Sequence, residues 1–253
     1  MTSSDTPLRV AIILIGNELL SGKIQDENGH YATRRLRALG ASVTRVSIIP
    51  DVQADIVDEV QRCLRSNDVV ITSGGVGPTH DDITLECIAE ALGVDCYLEP
   101  QLEALINRYF GDRVTPAHMR MATIPRGSAL LEAGENTWPI VHTESVYVLP
   151  GVPEIFRAKF EALAERLRRG QWYLRSIYLN VDEGAIAALL LELERDHGVS
   201  IGSYPKWRGT DYRVRVTVEA RSPDQVNAAI AEAAQQLDPT VIVRVDDPLG
   251  TTD

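Results

Sequence analysis

The chain has 253 residues, 44% hydrophobic and 24% charged, an ordinary globular composition that allows one large or two small domains around a sizeable core. A net charge of -11 and an isoelectric point near 5.0 argue against a general nucleic-acid or membrane-surface binder, because such proteins gather positive charge; a small phosphorylated ligand carrying its own metal is compatible. Cys63, Cys87 and Cys96 stand in unrelated contexts without a CxxC pair, so neither a disulfide framework nor a thiolate zinc site is indicated.

The opening Met-Thr-Ser-Ser-Asp-Thr-Pro has no basic region before its apolar run, and Arg9 to Ile15 is too short to span a membrane, so a cytoplasmic protein is expected. Arg9 to Ile15 reads as a buried strand ending at Gly16. Glu27 to Leu39 follows with helical spacing and closes at Gly40. Val43 to Ile49 is the second strand. Asp51 then sits where a helix cap belongs, and Val52, Ile56, Val57, Val60 and Leu64 share one helical face. The third unit is the strand from Asp68 to Thr72 and a helix from Ile83 to Leu92 that stops at Gly93. Three strand-helix units in succession imply a parallel sheet with helices on both faces. Ligands on such sheets bind beyond the carboxyl ends of the strands, where Gly16, Asp51 and the loop from Ser73 all fall.

Pro100 to Gly111 is expected to be helical, and His118 to Ile124 a connecting segment approaching the same face. Val141 to Leu149 reads as a hairpin or an interrupted strand that delivers Pro150-Gly151-Val152-Pro153 to the rim. Pro153 to Arg169 follows as a helix, with Pro in its first turn and basic residues at its end. The pattern changes after Arg168-Arg169-Gly170-Gln171, which divides the chain into domains 1–170 and 171–253. The second domain reads as a small α+β unit: strand Arg175 to Val181, helix Glu183 to His197, strands Val199 to Ser203 and Tyr212 to Ala220, helix Pro223 to Leu237, and a last strand at Thr240 to Val245. It contains no glycine loop or acidic cluster. Lys206, Trp207 and Arg208 either close over a nucleotide by stacking and charge, or form a hairpin tip and core.

The most informative stretch is Thr72-Ser-Gly-Gly-Val-Gly-Pro-Thr-His-Asp-Asp82, between a strand and a helix. A glycine loop in that position can turn several backbone N-H groups toward one anion, which the helix dipole also favours. Asp81 and Asp82 would repel a phosphate unless a cation lay between them, so the loop suggests a phosphate ester with a divalent metal. The spacing is neither GxGxxG nor a Walker A loop. A plainer reading is a turn in which Asp82 caps the helix and Asp81 is solvated.

Gly16-Asn17-Glu18-Leu19-Leu20-Ser21-Gly22, Asp26, Asn28, Pro50-Asp51, Thr72 to Thr84 and Leu149-Pro150-Gly151-Val152-Pro153 together resemble the molybdopterin-binding (MoCF, MogA/MoaB-like) domain family. The match is closest to the branch at the N-terminus of competence/damage-inducible protein CinA and of FAD synthase, and covers residues 8 to about 170. Val181 to Ala187 and Gly202 to Trp207 resemble the region that follows that domain in FAD synthase, and the βαββα order resembles the KH-like domain of the CinA group. Glu27 and the segment around Thr137 to Ser145 depart from the CinA pattern.

The resemblance implies a three-layer α/β/α molybdopterin-binding-like domain with a mostly parallel sheet, followed by the small α+β domain. It implies hydrolysis of a pyrophosphate such as FAD or ADP-ribose to AMP and a second phosphate ester, with magnesium, manganese or cobalt and with potassium. Alternatives in the same family are a module that binds molybdopterin or a nucleotide without turnover, and adenylyl transfer onto molybdopterin. Asp51 and Asp82 fall on the family's functional acidic positions, with Asp81 beside Asp82. In the expected site Asp82 and Asp81 hold the metal and Asp51 orients water or a second ion. Ser73, Gly74, Gly75, Gly77, Thr79 and Thr84 cradle one phosphate, and Gly151 and Val152 meet the other end. Gly16, Glu18 and Asn28 complete the set, although Glu18 can equally accept loop N-H groups and Asn28 can equally line a helix start. His80 either donates to a phosphate or pairs with the adjacent carboxylates. Residues 1–253 hold no stretch resembling a nicotinamide mononucleotide deamidase or adenylyltransferase domain, so neither activity is expected of them. A dimer or trimer is expected, again by resemblance.

Overall fold

The computed structural model describes residues 7–134, 138–143, 145–207, 211–246 and 250–251. The chain divides into two compact units, residues 1–36 with 41–169 and residues 37–40 with 170–253.

In the first unit, β1 (Arg9–Ile15) leads through a single turn, α1 (Asn17–Leu20), to α2 (Asn28–Ala38), β2 (Ser42–Ile49), α3 (Gln53–Leu64), β3 (Val69–Ser73) and α4 (Thr84–Leu92). Then come β4 (Cys96–Leu98), α5 (Pro100–Phe110), α6 (Pro116–Arg120), β5 (Thr123–Pro125), β6 (Ala129–Leu131), β7 (Ile140–His142), β8 (Val146–Leu149) and α7 (Pro153–Ala164). The main sheet runs β2-β1-β3-β8-β7-β6, parallel from β2 to β8 and antiparallel beyond, while β4 and β5 form a separate antiparallel pair. Leu14 lies opposite Ser73 and Ser73 opposite Leu149, so the loops leaving β1, β3 and β8 emerge side by side.

Both faces of the sheet are covered, and β1 shows why its sequence is a continuous apolar run. Ala11, Ile13 and Ile15 join one core with Ile56 and Val60 of α3 and Ile88 of α4. The alternate residues Val10, Ile12 and Leu14 are equally buried, on the face that carries α2 and α7. These two helices meet edge to face through Tyr31 and Phe160, with ring centroids 5.9 Å apart. Arg35 makes a two-pronged ion pair with Glu161, at 2.8 and 2.6 Å.

Several boundaries differ from the sequence expectation. Asp51 does not cap α3; Val52 stands at that position without a side-chain bond, and the Asp51 carboxylate is engaged elsewhere. The final helix of this unit stops at Ala164 and is followed by a 3-10 turn at Glu165–Leu167, so Arg168 and Arg169 lie beyond it. His118 to Ile124 is the end of α6 plus most of β5, and Val141 to Leu149 contains a true antiparallel pair, β7 with β8.

The second unit comprises β9 (Tyr173–Leu179), α8 (Glu183–His197), β10 (Ser200–Pro205), β11 (Val214–Ala220), α9 (Pro223–Gln236), β12 (Ile242–Val245) and β13 (Gly250–Thr251). Its sheet is antiparallel, in the order β10-β11-β9-β12, with β13 also on β9. Ile177, Leu179, Val214, Val216 and Val218 alternate inward to a core shared with Ile186 of α8 and Val226 of α9. Asp182 caps α8 by accepting from Gly184 N-H at 3.0 Å, and Gly198 ends it at φ 62°. Trp207 is 96% exposed and therefore hairpin tip rather than core, while Lys206 pairs with Asp211 at 2.6 Å. Arg208, like Thr137 and Glu144 of the segment from Thr137 to Ser145, lies outside the described residues. Among the described residues no helix is long and apolar enough to cross a membrane.

Candidate active site

The cleft at the carboxyl ends of β1, β3 and β8 has a volume of about 1040 Å³, at the upper end of ligand-pocket sizes. Of the residues expected at the site, Ser73, Gly74, Gly75, Gly77, Asp82, Glu18, Asn28, Gly151 and Val152 line it. Gly16, Asp51, Thr79, Asp81 and Thr84 do not line it and act on the loops behind it or at its edge.

The β3-α4 loop needs its glycines. Gly74 has φ 108°, and a Cβ there would run into the carbonyl oxygen of Ile15; Gly75 has φ 65°, where a Cβ would meet the Thr84 hydroxyl. Thr84 is fully buried and holds the loop from behind, donating from Oγ1 to Gly74 O at 2.9 Å and from its N-H to Gly75 O at 3.0 Å. Gly74 N-H is spent on Leu149 O at 3.1 Å, which ties the loop to β8. The next three N-H groups, of Gly75, Val76 and Gly77, find no acceptor among the described residues, and all three residues line the cleft. Such consecutive unsatisfied donors form an anion-binding concavity.

Ser73 and Asn28 brace the opposite side of this cradle. Ser73 Oγ donates to Pro150 O at 3.1 Å and accepts from Asn28 Nδ2 at 3.0 Å, and Nδ2 gives its other hydrogen to Gly151 O at 2.7 Å. The Asn28 amide is thereby fixed in orientation. Its Oδ1, buried, has no partner among the described residues.

Asp82 does not cap α4. Ile83 occupies the cap position without a side-chain bond, and Asp82 Oδ2 instead accepts from Thr79 N-H at 2.8 Å and faces the Thr79 hydroxyl. The same hydroxyl lies 2.6 Å from Asp81 Oδ1. A hydroxyl has one proton, so it can donate to only one of the two carboxylates, and the other faces it without that hydrogen. The Thr79 hydrogen bond, a backbone donor and the nearby His80 hold the exposed Asp81 below the usual carboxylate range. His80 is 98% exposed and 3.9 Å from Asp81, the pairing arrangement rather than a cleft position. Arg120 of α6 steadies the loop, donating to Asp82 O at 3.0 Å and to Thr79 O at 3.4 Å. That contact gives the segment around His118 to Ile124 a role that its composition did not disclose.

Asp51 accepts from Asn17 N-H at 2.8 Å, so its carboxylate anchors the start of α1 from the loop after β2. That turn carries Glu18, whose carboxylate lies over Gly16 so closely that a Cβ there would collide with it.

Sequence reasoning did not single out the apolar half of the cleft, formed by Leu105, Tyr109, Phe110, Met121 and Trp138, nor Lys159. Their signal was weak because α5 reads as an ordinary amphipathic helix. Lys159 was legible in principle: it occupies the apolar stripe Phe156, Lys159, Phe160, Leu163 on α7, where a lysine is out of place. Its side chain is 6% exposed and burial pushes its pKa down to about 8.

A doubly wound parallel sheet with a glycine loop, an acidic ending and a cleft at the strand ends has the architecture of α/β domains that take phosphate-bearing ligands beyond the carboxyl ends of their strands. Residues 11–169 match the family described as probable molybdopterin binding domain, and residues 171–246 match the FAD synthase middle domain. The chain belongs to the molybdopterin-binding domain family, in its CinA-like branch. It is 30% identical to a probable FAD synthase of Caenorhabditis elegans, across 90% of this chain and 49% of that one. A CinA-like protein of Myxococcus xanthus is 32% identical, over 88% of this chain and 57% of its own. The chain thus spans about half the length of these curated relatives. The crystal structure of the protein CinA from Thermoplasma acidophilum superimposes with a TM-score of 0.58 at 30% identity, covering 63% of this chain and 98% of that one.

Proposed function

We propose that the cleft binds a dinucleotide such as FAD or ADP-ribose and hydrolyses its pyrophosphate with a divalent cation, giving AMP and a second phosphate ester. The observation that carries this reading is the Asp82 carboxylate in the cleft wall next to the unsatisfied N-H groups of Gly75, Val76 and Gly77. The apolar, aromatic half of the cleft suits a base or a flavin ring.

The donor set fits a magnesium-type ion. The described residues contain no cluster of three or more His, Cys, Asp or Glu side chains able to hold a metal by themselves. One or two carboxylates, completed by substrate phosphate oxygens and water, are what magnesium commonly uses, and Asp82 with Asp81 supplies that number. When bound, the ion lowers the pKa of a water and screens phosphate charge. Gly75, Val76 and Gly77 donate to the phosphate that stays on the cradle. Thr79 keeps the two carboxylates together, and Asp51 acts by positioning α1 and Glu18.

The test is incubation with FAD, ADP-ribose, NAD and ATP, with magnesium, manganese or cobalt, with and without potassium, followed by chromatography. AMP is expected from at least one dinucleotide, and both a chelator and Asp82→Asn are expected to abolish it. Undiminished turnover by the Asp82→Asn protein sinks the mechanism. A second reading, binding of a pterin or nucleotide without turnover, is favoured by the engagement of Asp51 with Asn17 N-H, which takes that carboxylate out of the cleft wall. Tight pterin binding with no product in any of these mixtures would select it.

A further inference from the structure

Lys159 is the charged side chain of the cleft that its protein surroundings do not explain. It projects from the buried face of α7, with Phe156 and Phe160 buried on either side. Its Nζ donates to the carbonyls of Trp138 and Pro139, the latter at 3.3 Å, and these two residues also line the cleft. An ammonium group has three hydrogens, so two carbonyls leave one unassigned. Its polar contacts among the described residues are these two carbonyls, with no carboxylate, and burial alone accounts for its lowered pKa. A buried cation is expected to have a countercharge, because desolvation is costly and neutral carbonyls only partly offset it. Arg108, also at the cleft, is exposed and solvated, so its charge calls for no such partner.

The cradle from Gly75 to Gly77 and the Lys159 ammonium come from different segments, the β3-α4 loop and α7, yet line one cleft. Two separate anion-seeking features in one cavity match a ligand with two phosphoryl groups. We propose that Lys159 contacts the ligand directly, its third hydrogen donated to an oxygen of the phosphoryl group that the glycine cradle does not hold. This rests on the reading of the cleft as a dinucleotide site and adds to it a second, cationic anchor that fixes which phosphoryl group lies where. The lysine then gains its countercharge only when ligand is bound, and the bound anion draws it back toward the charged form. Binding near pH 8 must therefore take up protons. The other titratable groups that line the cleft are Glu18, Asp26, Glu27, Asp82, Arg108 and Tyr109, with Arg157 paired to Glu27.

The experiment is calorimetric titration of the full chain with the α,β-methylene analogue of ADP-ribose in magnesium at pH 8, in buffers of different ionisation enthalpy. This probe resists cleavage, and its phosphonate groups do not titrate near that pH. Wild type should bind with uptake of about half a proton, as expected for a group that is half deprotonated in the free protein. Lys159→Met should bind at least tenfold more weakly and take up none, and Lys159→Arg should recover affinity without proton uptake. A lysine that merely ties α7 to Trp138 and Pro139 predicts otherwise: Lys159→Met would lose thermal stability, yet bind within twofold of wild type with the same proton uptake, and that result overturns the proposal. Failure of wild type to bind the analogue removes both the proposal and the dinucleotide reading. Lysine-dependent binding of the analogue, with no cleavage of authentic ADP-ribose or FAD, supports the contact and removes only hydrolysis.

Discussion

Asn28 Nδ2 donates to the carbonyl of Gly151 at 2.7 Å, joining the start of α2 to a loop 123 residues later in sequence, while its second hydrogen goes to Ser73 at 3.0 Å. One buried amide thus holds the glycine loop after β3 against the glycine-proline loop after β8. Removing it strands the Gly151 carbonyl and takes a donor from Ser73, and an unpaired buried acceptor costs about 1–3 kcal/mol. Asn28→Leu, close to Asn in volume, is expected to lower unfolding stability by that amount, read as a lower urea midpoint with unchanged slope. Asn28→Asp should be worse, because a carboxylate would face the Gly151 oxygen.

Gly74 presents a steric case that is independent of hydrogen bonding. Its φ of 108° is outside what an L-residue adopts easily, and a Cβ would occupy the space of the Ile15 carbonyl oxygen. Gly74→Ala should therefore cost more than the roughly 1 kcal/mol of an unfavourable glycine replacement, with strain adding a further 1–3 kcal/mol. The thermal midpoint is expected to fall by several degrees. Gly22→Ala, at φ 69° but with open space around the added carbon, should cost less and serves as the control.

The parallel half of the sheet was readable because β1 and β3 are buried on both faces, which forces uninterrupted apolar runs, and because Gly40 and Gly93 mark helix ends. The short strands β4, β5 and β6 span only three residues each, too few for a period of two to register. At the site, the glycines and Asp82 were legible because a backbone turned toward an anion demands particular residue types. Asp51 was expected to orient water or a second ion and Thr84 to help cradle a phosphate. In the structure Asp51 accepts from a loop N-H and Thr84 donates to a loop carbonyl, contacts that the sequence did not disclose because a carboxylate or hydroxyl in a loop satisfies backbone groups as readily as it meets substrate. Trp138 and Tyr109 were not legible, because a cleft wall built from separate elements has no signature within any one of them.

The Arg35 and Glu161 pair makes a pH prediction with a defined sign. Hydrogen bonds from Arg35, reinforced by Tyr31, hold Glu161 below the usual glutamate range, while burial opposes them. A depressed carboxylate stabilises the fold above its unfolded pKa, near 4.5, and that contribution fades as pH falls through the folded value. Both side chains are more than a third exposed, so solvent screening limits the effect to about 0.5–1 kcal/mol. Glu161→Gln should be less stable than wild type at pH 7 by that amount, with the gap narrowing below pH 4 in urea titrations.

Lys159 gives the opposite slope, and it can be measured without any ligand. Its ordinary pKa of 10.5 in the unfolded chain falls to about 8 in the folded one. Between those values the unfolded state binds more protons, so this group's contribution to stability rises with pH across the window from 8 to 10.5 and is flat outside it. Below pH 8 both states are protonated and the fold bears the whole cost of a buried charge, on the order of 2 kcal/mol after allowing for relaxation and the two carbonyl contacts. Lys159→Met removes the charge and keeps the apolar stem. The variant should match or exceed wild type in stability at pH 7, and wild type should gain on it as pH climbs toward 10.5. Parallel stability curves for the two proteins from pH 7 to 10.5 would mean that the folded lysine is not desolvated. A deficit in the variant already present at pH 7 that widens toward pH 10.5 would mean that the contacts with Trp138 and Pro139 outweigh the charge.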